Sequence, residues 1–68
     1  LPAARRILAL PKSQREALAE LMTVLRHEAN DEAEKAWKRR KGPMAAYWRA
    51  VSTYARHIAH LLKLTQPL

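Results

Sequence analysis

Histidines are the side chains of this sequence best suited to bind a metal ion or to carry a proton. His57 and His60 stand three residues apart, on one face of a helix, and His27 lies far from them in the chain. A zinc site needs four ligands, usually including cysteine or carboxylate groups, and the sequence has no cysteine and no acid after Glu34. We therefore predict no metal site and no cofactor.

The sequence also lacks the residue patterns of common catalytic sites. Its one glycine, Gly42, rules out a glycine-rich phosphate loop, and no serine is placed to meet both a histidine and an acid. Acids in the middle of the chain have basic partners four residues later, Asp31 with Lys35 and Glu34 with Lys38, which is typical of a solvated helix face. We predict that the protein is not an enzyme and has no small-molecule substrate.

Basic residues are distributed unevenly along the chain. There are 13 lysines and arginines against 6 acids, which gives a formal net charge of +7. All the acids lie in residues 16–34, and residues 35–68 carry basic groups without any acid. Such a segment favours an anionic partner, because neutralising phosphates releases their condensed counterions. A need for solubility is the alternative reason for this charge.

The candidate phosphate contacts form two groups. One group lies at the end of the first long helix. The helix macrodipole stabilises cations only within the last turn, so it does not explain why so many basic residues are found there. The other recurs every seventh residue on one face of the second long helix. The predicted nucleic-acid-binding residues are Lys38, Arg39, Arg40, Lys41, Arg49, Arg56 and Lys63. No amide side chain accompanies the second group, so we predict contacts to phosphates and not to base edges.

Two long helices must position these residues. Gly42 and Pro43 interrupt the helical pattern, because glycine fits the left-handed position after a helix and proline fits the first turn of the next one. Ser13 and Glu16 have the spacing of a capping box at the start of the first helix. We predict a short helical segment in residues 1–11 and a helical hairpin in residues 12–68, with helices at about 13–41 and about 43–64.

Apolar residues on the two helices predict an antiparallel register. The predicted stripes are Leu18, Met22, Leu25, Ala29, Ala33 and Ala36 on the first helix, and Met44, Trp48, Val51, Ala55, Ile58 and Leu62 on the second. Facing residues then have numbers with a constant sum, since both helices rise about 1.5 Å per residue. Placing Ala36 opposite Trp48 sets this sum at 84. Arg40 is expected to lay its stem over this core, and Trp37 to be part of it. The alternative for Trp37 and Trp48, which flank the turn, is stacking on nucleic-acid bases.

A second apolar row on the second helix predicts a homodimer. Tyr47, Tyr54 and Leu61 recur every seven residues and widen the apolar arc beyond what one facing helix covers. With Leu21 and Val24 they form the predicted dimer interface, in which two hairpins make a four-helix bundle. Two alternatives remain: residues 1–10 cover the row, or the glycine-proline step only kinks one long helix whose second half is exchanged between two chains.

Residues 10–18, LPKSQREAL, resemble the start of the DNA-binding region of bacterial sigma factors. The helix-turn-helix that follows in that family has no counterpart here, where RHEAND occupies residues 26–31. The resemblance covers under a fifth of the chain and implies no family for the whole.

The sequence therefore predicts an all-α, dimeric, basic protein that binds nucleic acid through phosphates in a regulatory or accessory role. The alternative is a protein-interaction or oligomerisation module of a larger regulator, whose basic face meets an acidic protein surface. No apolar run reaches the roughly 20 residues that cross a bilayer. The sequence contains no cysteine, so it gives no sign of the disulfides that form in an oxidising compartment. We accordingly expect a cytoplasmic protein without a membrane contact.

Overall fold

Three helices and no strand make up the described part of the chain. A computed structural model describes residues 2–64 and places α1 at Pro2–Leu8, α2 at Lys12–Lys38 and α3 at Gly42–Lys63. The all-α class predicted from the sequence is confirmed. Leu1 and residues 65–68, which belong to the predicted N-terminal segment and hairpin, lie outside the described residues.

The two long helices pack side by side and run in opposite directions. Near the start of α2, Arg15 Nη1 donates a hydrogen bond of 2.8 Å to the backbone oxygen of Leu64, which directly follows α3. Nearer the turn, Arg49 Nη1 of α3 donates to Asn30 Oδ1 of α2 at 2.9 Å. The chain therefore folds back after α2, and the single kinked helix that the sequence also allows does not form.

The reversal between α2 and α3 is a Schellman turn with Arg40 in the left-handed conformation. The N–H of Lys41 donates to the oxygen of Ala36 at 2.8 Å, and the N–H of Arg40 donates to that of Trp37 at 2.9 Å. Arg40 has φ 58°, whereas Gly42, predicted for this position, already belongs to α3. The side chain of Arg40 is exposed and does not cover the core as predicted.

Replacing Arg40 by glycine is expected to stabilise the hairpin. The left-handed conformation costs a residue with a Cβ about 1–2 kcal/mol, and glycine escapes most of this cost although it loses more entropy on folding. We expect the free energy of unfolding to rise by about 0.5–1 kcal/mol and the Tm to rise by several degrees, measured by circular dichroism. Arg39→Gly, at φ −86°, is the control and should bring no gain. A Tm of Arg40→Gly at or below that of the original chain contradicts this turn geometry.

The contact between α2 and α3 consists mainly of small side chains. The buried residues of the contact are Ala19, Ala29, Ala33 and Ala36 on α2, and Ala45, Ser52, Ala55, Ala59 and Leu62 on α3. The prediction was wrong for Leu18, Met44 and Ile58, which are 38%, 47% and 39% exposed. Among the other predicted members, Ala29, Ala33, Ala36, Ala55 and Leu62 are buried, as predicted. Larger side chains lie along the edges of the contact, because alanines let the two backbones approach closely.

The predicted register was also wrong. The hydrogen bonds that join α2 to α3 and to Leu64 link residues whose numbers sum to less than 84. The sums are 79 for Arg15 with Leu64, 79 for Asn30 with Arg49, 78 for Arg26 with Ser52 and 83 for Glu34 with Arg49. The constant sum is twice the position at which the chain reverses, so a reversal near Arg40 gives a smaller sum than one at Gly42. The misplaced turn and the misplaced register therefore have one cause.

Pro11 marks the start of α2, and the predicted capping box does not form. Pro11 is the N-cap, with φ −56° and ψ 149°, and no side chain donates or accepts a capping hydrogen bond there. The N–H of Arg15 donates to the oxygen of Pro11 at 3.0 Å and closes the first turn. Ser13 already lies within this turn, so its hydroxyl cannot take the N-cap position.

Arg15 holds the open end of the hairpin together. It is only 7% exposed, and its hydrogen bond to Leu64 places a cation at the negative end of the α3 macrodipole. Arg15 Nε is buried without a hydrogen-bond partner among residues 2–64. Sequence reasoning missed this role, because an arginine in the first turn of a helix usually points into solvent.

Candidate nucleic-acid interface

The helix contact separates two faces of the hairpin that differ in chemistry. On one side of the buried alanines lie the polar contacts between the helices, where Ser52 Oγ donates to the oxygen of Arg26 at 3.1 Å and Arg49 reaches Asn30. We call this side the polar face. The opposite side carries large apolar residues, and we call it the apolar face.

Three arginines converge on one groove in the polar face. The groove has a volume of about 170 Å³ and is lined by Arg26, Asn30, Arg49, Ser52, Thr53 and Arg56. Arg26 comes from α2, and Arg49 and Arg56 come from α3 two turns apart. Among residues 2–64, neither Arg26 nor Arg56 forms an ion pair. Guanidinium groups bind phosphate through two parallel hydrogen bonds, so this groove is chemically suited to a phosphate.

Arg49 is engaged within the hairpin. Its Nη1 donates to Asn30, and its Nη2 pairs with the carboxylate of Glu34, whose predicted partner was Lys38. Both side chains of this ion pair are about half exposed. Exposed ion pairs contribute at most about 1 kcal/mol, so a phosphate can replace Glu34 at modest cost.

The other ion pair predicted on the acidic stretch of α2 also forms with a different partner. Lys35 Nζ lies 3.3 Å from Glu32 Oε2, three residues earlier, and not against Asp31 as predicted. Both side chains are largely solvated, so this difference changes little in the energetics.

A second groove in the polar face leads from Arg49 to the turn. It has a volume of about 450 Å³ and is lined by Glu34, Trp37, Gly42, Ala45, Ala46 and Arg49. Arg49 therefore borders both grooves. Trp37, predicted to be in the core, is 67% exposed because the facing residues are alanines too small to cover its ring.

The predicted phosphate-binding residues do not all lie together. Arg49 and Arg56 line the first groove, and the exposed turn residues Lys38, Arg39, Arg40 and Lys41 follow directly after Trp37 at the end of the second. Lys63 lies at the opposite end of the hairpin, where Glu16 and Glu20 line the same surface depression. Arg26 was missed, because the sequence shows it as a lone base among acids.

The apolar face is formed by residues that each directly precede a buried or half-buried residue of the helix contact. Its members are Leu18, Leu21, Leu25, Met44, Tyr47, Val51, Tyr54, Ile58 and Leu61. Because α2 and α3 are antiparallel, residues displaced by one position in the same sense on both helices fall on the same side of the hairpin. On α2 this face is apolar as far as Leu25, and nearer the turn the same side carries Glu28, Glu32 and Lys35, which line a groove with Trp48.

The residues of the predicted dimer interface differ in exposure and position. Leu21, Tyr47 and Tyr54 are all more than half exposed on the apolar face. Leu61 is half-buried, and α1 contacts α3 without covering the two tyrosines. Val24 lies five residues, or about 140° around α2, from both Ala19 and Ala29, so it lies on the outer side of that helix.

The three histidines are exposed and lie apart from any cluster of acids. Arg56 Nη2 lies 3.4 Å from His57 Nε2, and His27 and His60 are both solvated. Among the residues that the structure describes, no three potential metal ligands come together. Within the same part of the chain, each helix is too short or too polar to span a bilayer.

Comparisons with known proteins do not add to this geometry. Neither a protein-family model, nor a curated protein, nor a solved structure matches the chain. The two faces of the hairpin are therefore the basis on which a function is inferred.

Proposed function

We propose that the protein binds nucleic acid through its phosphates and acts as a regulatory or accessory nucleic-acid-binding protein. The observation that carries this proposal is the convergence of Arg26, Arg49 and Arg56 on one groove of the polar face. Three guanidinium groups from two helices, with only Glu34 nearby to balance them, favour a polyanion over a neutral ligand.

The length of the polar face suits a stretch of nucleic acid. From Arg26 to Trp37, which line the two grooves, is eleven residues of helix, or about 17 Å, which equals the axial rise of about five nucleotides of a duplex strand. Arg26 at one end and the turn cations that follow Trp37 at the other can therefore contact phosphates of one strand. Asn30 and Thr53, between them, supply amide and hydroxyl groups that also donate to phosphate oxygens.

A salt titration of binding tests this proposal. Fluorescence anisotropy with labelled duplex DNA, single-stranded DNA and structured RNA should show binding at about 50 mM salt that weakens steeply toward about 200 mM. Five phosphate contacts correspond to a slope of about −4.5 in log K against log salt for a duplex. Absence of binding to all of these nucleic acids at about 50 mM salt overturns the proposal.

The same proposal includes a homodimer formed through the apolar face, with two hairpins in a four-helix bundle. A second copy presents the same face, so that Tyr54, Ile58 and Leu21 of both copies are covered by one isologous contact. Exposed apolar patches of this kind usually mark an interaction site. Sedimentation equilibrium should give twice the chain mass of 7.8 kDa.

Tyr54→Glu is expected to convert this dimer to a monomer, because it places a charge in the centre of the contact. Ala50→Glu, on the outer side of the same helix, is the matched control and should remain dimeric. A mass of 7.8 kDa for the unaltered chain at all concentrations contradicts the dimer.

A protein-interaction module is the second candidate function, because the apolar face is open next to a basic one. Its partner would be a protein with an acidic surface and an apolar patch. This function is preferred if the chain binds none of the nucleic acids at low salt and instead binds an acidic protein through the polar face.

A further inference from the structure

We propose that the groove beside Trp37 binds an unpaired nucleobase, so that the protein prefers single-stranded nucleic acid to a duplex. This inference rests on the proposed function and adds the class of nucleic acid that it takes. It assigns a role to the second groove, which the phosphate contacts alone do not use.

Trp37 is placed to stack on a flat ligand. The residues beside it in the groove are Gly42, Ala45 and Ala46, and a Cβ placed on Gly42 would meet no atom within 4 Å. The indole therefore borders open space. A tryptophan that serves only packing is normally well buried, whereas two thirds of this side chain is exposed to a ligand.

The other tryptophan shows the difference. Trp48 is half-buried, and its ring packs edge-on against Tyr47 with the ring centres 5.0 Å apart and an interplanar angle of 76°. It thus has an aromatic partner within the chain. Trp37 does not appear in any such pair among residues 2–64.

The charges around the two grooves favour one arrangement of a strand. Arg49 borders both grooves, so a phosphate bound to Arg49 and Arg56 lies next to the space beside Trp37. Glu34 lines only the second groove, where its carboxylate disfavours a phosphate. The first groove accordingly takes the phosphate and the second takes the neighbouring base.

This combination of side chains distinguishes strands by their state of pairing. Proteins that bind single strands combine a cationic groove with aromatic residues on which bases stack, and every base offers a flat face for this contact. In a duplex the base faces are stacked on one another and are not accessible to an indole ring. Trp37 therefore adds affinity only where a base is unpaired.

The inference is tested by measuring affinity for a labelled oligothymidine and for a duplex of equal length. The proteins compared are the unaltered chain, Trp37→Ala and Trp37→Phe. We expect Trp37→Ala to weaken binding of the single strand about 5- to 100-fold and binding of the duplex less than about twofold. Trp37→Phe should retain most of the single-strand affinity, since a phenyl ring still stacks. In Trp48→Phe, where Trp37 is the one remaining tryptophan, oligothymidine should quench the fluorescence.

The results separate this inference from the proposal on which it rests. If both nucleic acids bind and Trp37→Ala weakens neither, or weakens both equally, the base site is wrong and phosphate binding stands. If neither binds at about 50 mM salt, both proposals are wrong. Quenching by polyglutamate as strong as that by oligothymidine also overturns the base site, because polyglutamate carries charge without bases. Unchanged circular dichroism of Trp37→Ala shows that the loss is not one of fold.

Discussion

Replacing Arg26, Arg49 and Arg56 together by glutamine should lower the affinity for single-stranded nucleic acid about a hundredfold to a thousandfold at 50 mM salt. Each phosphate contact on a single strand contributes about 0.7 to the slope of log K against log salt, so three contacts contribute about 2. Extrapolated from 1 M to 50 mM salt, that slope amounts to between two and three orders of magnitude in affinity. Anisotropy titrations at several salt concentrations measure both the loss and the change in slope.

A control of equal charge shows whether the groove or the net charge is responsible. Arg5, Arg6 and Lys12 are exposed at the end of the hairpin far from the turn, and their replacement by glutamine also removes three of the +7 charges. We expect this variant to lose less than about tenfold, through long-range attraction alone. Equal losses in the two variants would mean that binding follows net charge and that the groove is not the site.

The opposite change is expected when Glu34 is replaced by glutamine. Glu34 pairs with Arg49 and competes with phosphate for it, so its removal frees a guanidinium at the junction of the two grooves. Glu28→Gln makes the same change in charge on the other side of α2, where Glu28 lines a groove with Leu25 and Trp48. If the polar face is the binding surface, the affinity of Glu34→Gln for nucleic acid should be several-fold higher than that of Glu28→Gln.

The helices were predictable from local signals, and their packing was predictable only in part. Gly42, Pro43 and the polar stretch around Pro11 predict where helices end, because these residues act on the backbone next to them. The contact between α2 and α3 depends on which side of each helix faces the other. Leu18, Met44 and Ile58 were placed in this contact for their hydrophobicity and lie at its edge, whereas the alanines of the predicted stripes are buried because their small size lets the backbones approach.

The candidate site was predictable only in part, for a related reason. Arg49 and Arg56 are recognisable from their spacing on one helix, whereas Arg26 is a lone base among the acids of the other helix and has no such pattern. The turn was misplaced because Arg40 takes the left-handed conformation, which glycine normally occupies. Trp37 was predicted to lie in the core because large aromatic side chains are usually buried. It is exposed because the residues that face it are alanines.

Replacing Ala33 by leucine should destabilise the hairpin severely. Ala33 is fully buried in the helix contact, so a leucine there must push α2 and α3 apart or take a strained rotamer. Overpacking of this kind costs about 1–3 kcal/mol, and a core in a chain this small supplies only about 3–5 kcal/mol in total. We expect the Tm to fall by roughly 8–20 °C, followed by circular dichroism at fixed protein concentration.

Ala50→Leu is the matched control, because Ala50 is exposed on the outer side of α3 and has room for the larger side chain. Its Tm should stay within a few degrees of the original, since leucine and alanine are both good helix formers. The alanine contact also holds Arg26 of α2 in one groove with Arg49 and Arg56 of α3, so Ala33→Leu should lose nucleic-acid affinity even below its Tm. An Ala33→Leu variant with unchanged Tm contradicts the close helix contact, and with it the groove that this contact builds.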